Sequence, residues 1–213
     1  SKATGLDYDT SKMTSLAKAY GQRPKGFSER TGISISKAKE VFDSFDEKLP
    51  YIAILAAKAA STAEKRGYVF TVLGRRAHFR WFVSRNHWDY VRELGILKKE
   101  GCENSDRASE LRELLEPVYG EEAAEKKYKE GYSRSETHKA FNRIIQGSSG
   151  DQTKLAFCIQ SEMGYQPLST VHDEINHNVA TEKDLKAIQE VQETCIPSLC
   201  PFKADPDMGD TWQ

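Results

Sequence analysis

Apolar residues recur at three- and four-residue intervals along most of this chain, and only three short stretches read differently: 68–73, 168–171 and 175–179, rich in β-branched and aromatic side chains. Such a pattern must bury helical stripes against a small sheet. We therefore expect an α+β fold, helices first and a small antiparallel sheet later, with helices on one face. The chain has 213 residues, enough for one ordinary domain or two small ones sharing a core. Charged residues make up 30% of it, but 10% are Phe, Trp or Tyr, too aromatic for a disordered chain.

The segments follow from the pattern and its punctuation. A first helix over 10–20 puts Lys12, Leu16 and Tyr20 on one face, and Gly21, Pro24 and Gly26 break it. Ser34 or Ser36 opens a helix with the stripe Ala38, Val41, Phe42, Phe45 and Leu49. Pro50 starts the next, and Gly67 stops it. Residues 84–133 read as a charged helical surface excursion with little apolar content. A long helical segment over 135–163 contains Gly147, Ser148, Ser149 and Gly150, which either bend it or let another backbone approach. Thr181 followed by Asp184 makes a capping-box start for the last helix.

Charge and cysteine usage narrow the classes. Net charge is -1, so no global basic signal for nucleic acid exists. The distribution is uneven: residues 1–80 hold 15 Lys and Arg against 8 Asp and Glu, while the remainder holds 16 against 24. A basic front is consistent with one polyanion-facing surface, although solvated helix faces give the same sum. Cys102, Cys158, Cys195 and Cys200 never fall at C-x-x-C spacing, so reduced, partly buried thiols of a cytosolic protein are expected. No apolar run approaches the ~20 residues of a membrane helix, and the opening SKATGLDYDT lacks a signal peptide's apolar segment. The expectation is a soluble, cytoplasmic protein with no membrane partner.

Three constellations could carry chemistry. His172-Asp173-Glu174 falls between two short strands, so an acidic pair would stand at a hairpin tip. Hard divalent cations take one or two such carboxylates plus substrate phosphates, but polar tips are also ordinary turn chemistry. Lys12 and Tyr20 on one helical face could hold a phosphate and stack a base, or simply be solvated. Asn142 and Gln146, one turn apart, form an amide pair suited to minor-groove base edges. A metal-dependent hydrolase on His172 and Asp173 would need further ligands, and His78, His87, His138 and His177 supply no recognisable set.

Their order is more specific than any one of them. Lys12-Met-Thr-Ser-Leu-Ala-Lys-Ala-Tyr20-Gly21, then Arg66-Gly-Tyr-Val-Phe-Thr-Val-Leu-Gly-Arg75-Arg76, then Ala140-Phe-Asn142-Arg-Ile-Ile-Gln146-Gly147 continuing to Asp151 and Lys154, then Val171-His172-Asp173-Glu174, resemble four ordered blocks of family A DNA polymerases. That group includes bacterial DNA polymerase I and many phage replicative enzymes. The resemblance covers nearly the whole chain except 84–133, where family members have a shorter connection.

The resemblance implies a right-hand polymerase portion: fingers helices over 1–66 including the O-helix, a palm strand and basic segment over 67–83, a helical insertion over 84–133, and palm with the motif C hairpin over 134–213. It implies template-directed addition of deoxynucleotides to a primer 3′ end with two Mg²⁺ ions. Lys12, Leu16, Tyr20 and Gly21 would bind the incoming dNTP. Arg75, Arg76, Asn142 and Gln146 would contact primer-template DNA. Asp173 would be the metal ligand, Glu174 its support, and His172 would help place the primer end.

Three departures accompany it. Tyr8 stands where the family has an Arg four residues before the motif B lysine, and Leu16 replaces the usual mid-helix aromatic. The chain also starts only a few residues before motif B, so the motif A aspartate and the thumb would come from an upstream partner chain. The expectation is the C-terminal piece of a split or processed polymerase of phage or other viral source, in the host cytoplasm. The alternative is a non-catalytic nucleic-acid-binding remnant.

Overall fold

The computed structural model describes residues 7–127 and 131–209, and the chain divides into two compact units, residues 1–69 with 76–143 and residues 70–75 with 144–213. The described residues form nine α-helices and seven strands, an α+β arrangement with antiparallel strand pairing.

The first unit opens with α1 (Tyr8–Ala19), α2 (Pro24–Thr31), α3 (Ile35–Lys48) and α4 (Pro50–Arg66). Asp7 caps α1 by accepting from the Thr10 amide at 2.9 Å, and Ser34 caps α3 through the Lys37 amide at 3.2 Å. Pro50 fills the first turn of α4, and Gly67 ends it at φ +75. The expected α3 stripe is the core: Ala38, Val41, Phe42 and Phe45 are buried. Phe42 meets Phe27 of α2 edge-to-face at 5.3 Å, with Ala17 of α1 closing the cluster. Pro24 and Gly26, expected only as breakers after the first helix, lie in a segment of their own, 24–31. That segment is a helix, because Pro24 at a first turn costs no hydrogen bond and Phe27 alone anchors it.

Beyond α4 come β1 (Tyr68–Phe70) and β2 (Arg76–His78), a two-stranded sheet, then β3 (Trp81–Ser84). β3 is central in a second sheet, paired antiparallel with β4 (Val118–Tyr119) and β5 (Tyr132–Arg134). Between them α5 (His87–Lys99) and α6 (Asp106–Leu115) form a helical hairpin in which Arg107 grips Glu93 with two bonds, at 2.7 and 3.0 Å; α7 (Glu121–Lys127) follows β4. The expected helical excursion thus contains strands, and it buries Ala108, Leu111 and Val118. Arg134 ties the region together: it donates to the carbonyls of Glu64 and Phe79, both at 3.0 Å, pairs with Glu121, and lies over the Phe82 ring.

A 3₁₀ turn (Thr137–Lys139) leads into α8 (Ala140–Glu162), which runs unbroken through the Gly147–Gly150 patch. The second unit consists of most of α8, the hairpin β6 (Pro167–Val171) and β7 (Glu174–His177), α9 (Glu182–Thr194) and the 70–75 turn. Thr181 caps α9, its hydroxyl accepting from the Asp184 amide at 3.2 Å and donating to that carboxylate at 2.7 Å. Cys102, Cys158 and Cys200 are exposed and Cys195 half-buried, all four as free thiols, so only one is as buried as expected. No helix among the described residues is long and apolar enough to cross a membrane.

Candidate functional site

Helix α1 inverts the usual amphipathic arrangement. Its inward face is small: Ser11, Thr14 and Ala17 are buried. Its large side chains, Tyr8, Lys12, Leu16 and Tyr20, follow one another at i+4 steps and are all exposed. Lys18 holds the orientation, ion-paired with Asp46 and 4.5 Å from the Phe42 ring centroid. The helix ends in a Schellman turn, with the Gln22 amide donating to the Ala17 carbonyl at 2.8 Å. Gly21 sits in that turn at φ +67, where a Cβ would also lie 3.4 Å from the His138 carbonyl oxygen. So the nucleotide residues expected from sequence form one exposed stripe with its end fixed by Gly21.

In the second unit, β6 and β7 pair with Val171 opposite Glu174, leaving the two-residue turn His172-Asp173. His172 takes φ +58, in the left-handed region that few non-glycine residues adopt. His172, Asp173 and Glu174 are all exposed at this tip. The mount beneath is hydrogen-bonded to its surroundings: Gln192 of α9 donates to the Asp173 carbonyl at 3.4 Å, and Asn176 donates to Ser169 across the hairpin at 3.1 Å.

At the hairpin base, fully buried Gln160 donates to the Ile188 carbonyl and faces His177 Nε2, both at 3.0 Å. The amide oxygen can only accept, so His177 carries its proton on Nε2. Its Nδ1 is buried with no partner among the described residues, and burial holds the imidazole below its ordinary pKa. Sequence reasoning missed Gln160 and His177, since a lone Gln and a strand-end His carry no spacing signal.

The block from Gly147 to Asp151 proves to be a docking seat for the 70–75 turn. Asp151 is buried; Thr71 donates its hydroxyl to one carboxylate oxygen and Arg75 Nε donates to the other at 2.7 Å. Burial alone would raise this carboxyl, but the Thr71 hydroxyl and the Arg75 guanidinium outweigh it and leave it below the usual carboxylate range. Arg75 also donates to the Gly147 carbonyl at 3.0 Å, and the Val72 amide to Ser148 Oγ at 2.9 Å. Arg75, expected near nucleic acid, thus has its guanidinium engaged within the protein while remaining half exposed. Arg76 lies over the Tyr68 ring at 4.8 Å. On α8, Gln146 is exposed, whereas Asn142 is half-buried and its Oδ1 has no partner among the described residues.

Gly147 has a steric reason to be glycine. A Cβ there would lie 2.6 Å from Thr71 Cγ2, and Thr71 cannot rotate away without breaking its bond to Asp151. Alanine favours a helix interior by about 1 kcal/mol, but overpacking costs about 1–3 kcal/mol. Gly147→Ala should therefore destabilise the chain, and Thr71→Ser, which removes the methyl and keeps the hydroxyl, should largely rescue it. Urea unfolding of the single and double variants checks this; equal losses with and without Thr71→Ser would refute it.

Residues 4–213 match the family described as DNA polymerase family A. The chain belongs to that family. Among its relatives, the DNA-directed DNA polymerase of Pseudomonas phage M6 is 29% identical over 176 residues, 83% of this chain and 19% of the relative. The DNA polymerase of Mycobacterium phage D29 is 25% identical over 93% of this chain and 24% of its own length. DNA polymerase I of Streptococcus pneumoniae serotype 4 is 26% identical over 98% and 20%. The chain thus spans about a fifth to a quarter of these curated relatives. A solved structure, the POL domain of Pol1 from M. smegmatis in complex with DNA primer-template and dNTP, matches 91% of this chain and 28% of its own at a TM-score of 0.57 and 22% identity, a shared α+β fold.

Proposed function

We propose that this family A chain is the fingers and part of the palm of a template-directed DNA polymerase, which extends a primer 3′ end by phosphoryl transfer. The observation that carries the reading is the two-residue β6–β7 turn, which exposes the Asp173 carboxylate on a braced hairpin. Its chemistry fits a hard cation, which takes few protein carboxylates and completes its shell with phosphate oxygens and water. Among the described residues no group of three or more His, Cys, Asp or Glu could hold a metal, so Asp173 would share Mg²⁺ with the substrate and a further carboxylate. In our reading that carboxylate is the motif A aspartate of the upstream part of the polymerase, which also carries the thumb. Two Mg²⁺ ions, when bound, stabilise charge on the entering and leaving oxygens.

The chain's own residues bind and orient. The Lys12 ammonium, exposed on α1, neutralises the triphosphate; Tyr20 offers a ring to the templating base; Gly21 keeps that end of the helix open. Asn142 and Gln146 test base-pair geometry at minor-groove acceptors, which are nearly alike for all correct pairs. Glu174 supports Asp173, and His172 places the primer end. Arg76 would face the DNA backbone, with Arg75 contributing charge from its seat on Asp151.

The deciding experiment mixes this chain with the upstream polypeptide carrying motif A and follows primer extension in Mg²⁺. Extension that appears only on mixing, with Lys12→Ala raising KM for dNTP, supports the reading. No extension, with DNA binding intact, would leave a nucleic-acid-binding remnant.

Leu16 gives a second expectation. An aliphatic side chain cannot stack on sugar or base as a ring does, and Leu16 is 44% exposed at mid-helix. Leu16→Phe should change the preference between deoxy- and dideoxynucleotides in the reconstituted enzyme. Unchanged selectivity would sink the idea.

A further inference from the structure

The β3–β4 pairing sets Trp81 opposite Tyr119, so both rings stand on one face of the sheet while Phe82 and Val118 point to the other, where Val118 is buried. The outward rings meet edge-to-face at 5.2 Å, yet Trp81 is 53% and Tyr119 51% exposed. That is a rigid aromatic surface with nothing over it among the described residues, and burying it would be favourable. Arg80 is fixed beside it, donating from Nη1 to the Tyr119 hydroxyl at 3.0 Å, and has no carboxylate partner among the described residues. Next to the rings lies a cavity of about 360 Å³ lined by His78, Arg80, Trp81, Pro117, Glu136 and Arg143 among others. Glu136 is the acid here, and its carboxylate is paired with Lys139 and Arg143. Residues 75–88 hold four Arg and two His and no Asp or Glu.

Exposed rings beside uncompensated guanidinium charge are the chemistry of single-strand binding: π-faces take unpaired bases regardless of sequence, and cations track the phosphates. A duplex keeps its bases stacked inside and would use only the charges. An acidic protein partner would leave the two ring faces without a reason. We propose that the Trp81–Tyr119 pair, with Arg80 and the adjoining cavity, binds single-stranded DNA by stacking unpaired bases. It rests on the polymerase reading only for the strand's source, the unpaired template. Tyr119 comes from 84–133, so this platform is separate from the four blocks that carry the family resemblance.

The test is fluorescence anisotropy of the 213-residue chain with a short labelled oligo(dT) at low salt. Trp81→Ala should weaken binding about fivefold or more, as expected for loss of one stacked base. Tyr119→Ala should do likewise, and Arg80→Ala should weaken binding and flatten its salt dependence. Binding within about twofold of the parent in Trp81→Ala, with an unchanged thermal melt, overturns the proposal. Should Trp81→Ala not fold, Trp81→Phe replaces it: it must keep affinity but lose oligonucleotide-induced quenching of tryptophan fluorescence, and quenching that persists overturns the proposal. No primer, nucleotide or metal enters this assay. A chain that fails to support extension can still show the platform, and one that supports extension can still lack it.

Discussion

Asp173→Ala should cut primer extension by the reconstituted enzyme about a thousandfold while leaving the fold unchanged. The two halves of that expectation come from different observations. The side chain is exposed at the tip, and among the described residues the hydrogen bond that ties Asp173 to α9 runs through its backbone carbonyl, which alanine keeps. Thermal unfolding should therefore match the parent. The activity loss follows if the carboxylate holds a cation at the reacting phosphate, since several kcal/mol of charge stabilisation vanish with it. Asp173→Asn separates charge from shape: a loss as deep as alanine's identifies the negative charge as the working part. Glu174→Gln, one residue along the strand, should lose less. Parent-like extension by Asp173→Ala would remove this residue, and with it the two-metal reading, from the proposal.

Asp151→Ala should be the opposite case, a stability variant, costing about 3 kcal/mol in urea unfolding. It strips a buried carboxylate from the Thr71 hydroxyl and the Arg75 guanidinium together and loosens the 70–75 turn from α8. Arg75 is half exposed, so water moderates the loss of its charge pair and the figure stays below that of a fully buried bridge. The pH dependence has a definite sign. The folded carboxyl titrates below its unfolded value, so its contribution is whole above the ordinary carboxylate range and is lost as pH falls through the depressed value. The stability difference between parent and Asp151→Ala should therefore shrink in acid, below about pH 4. A difference constant down to pH 2 would mean the carboxylate's charge plays no part.

What could be read from the residues was what periodicity and punctuation encode. The α3 stripe, the Ser34 and Thr181 caps, the Pro50 start and the Gly67 stop all stand in the structure because each has one local physical cause. The His172-Asp173 turn followed from two short apolar runs flanking an acidic pair. The run 68–73 misled, because β-branched residues report a fit to half-buried surface and not a backbone preference. Its second half is a turn in which Val72 and Leu73 are more than half exposed and Gly74 takes φ +79. Helix α5 gave no signal, since Trp88, Val91 and Ile96 face solvent and no stripe survives. The exposed stripe of α1 was legible as a spacing; that its inner face would be only Ser11, Thr14 and Ala17 was not. The Gln160–His177 and Asp151–Thr71 pairings join residues far apart in sequence, and nothing local announces them.

The sheet built on β3 also limits how this region can vary in length. Its two outer strands, β4 and β5, lie on opposite sides of a strand that precedes the whole excursion, and Arg134 fastens the return to α4. Excising 84–133 as a block would strip β4 from one side of β3 and sever the backbone just before Arg134. The α5–α6 turn near Gly101 carries no strand pairing, and its residues are largely solvent-facing. Insertions and deletions among close relatives should accumulate at that far end of the helical hairpin, while the distance from Ser84 to Val118 along the sheet stays fixed.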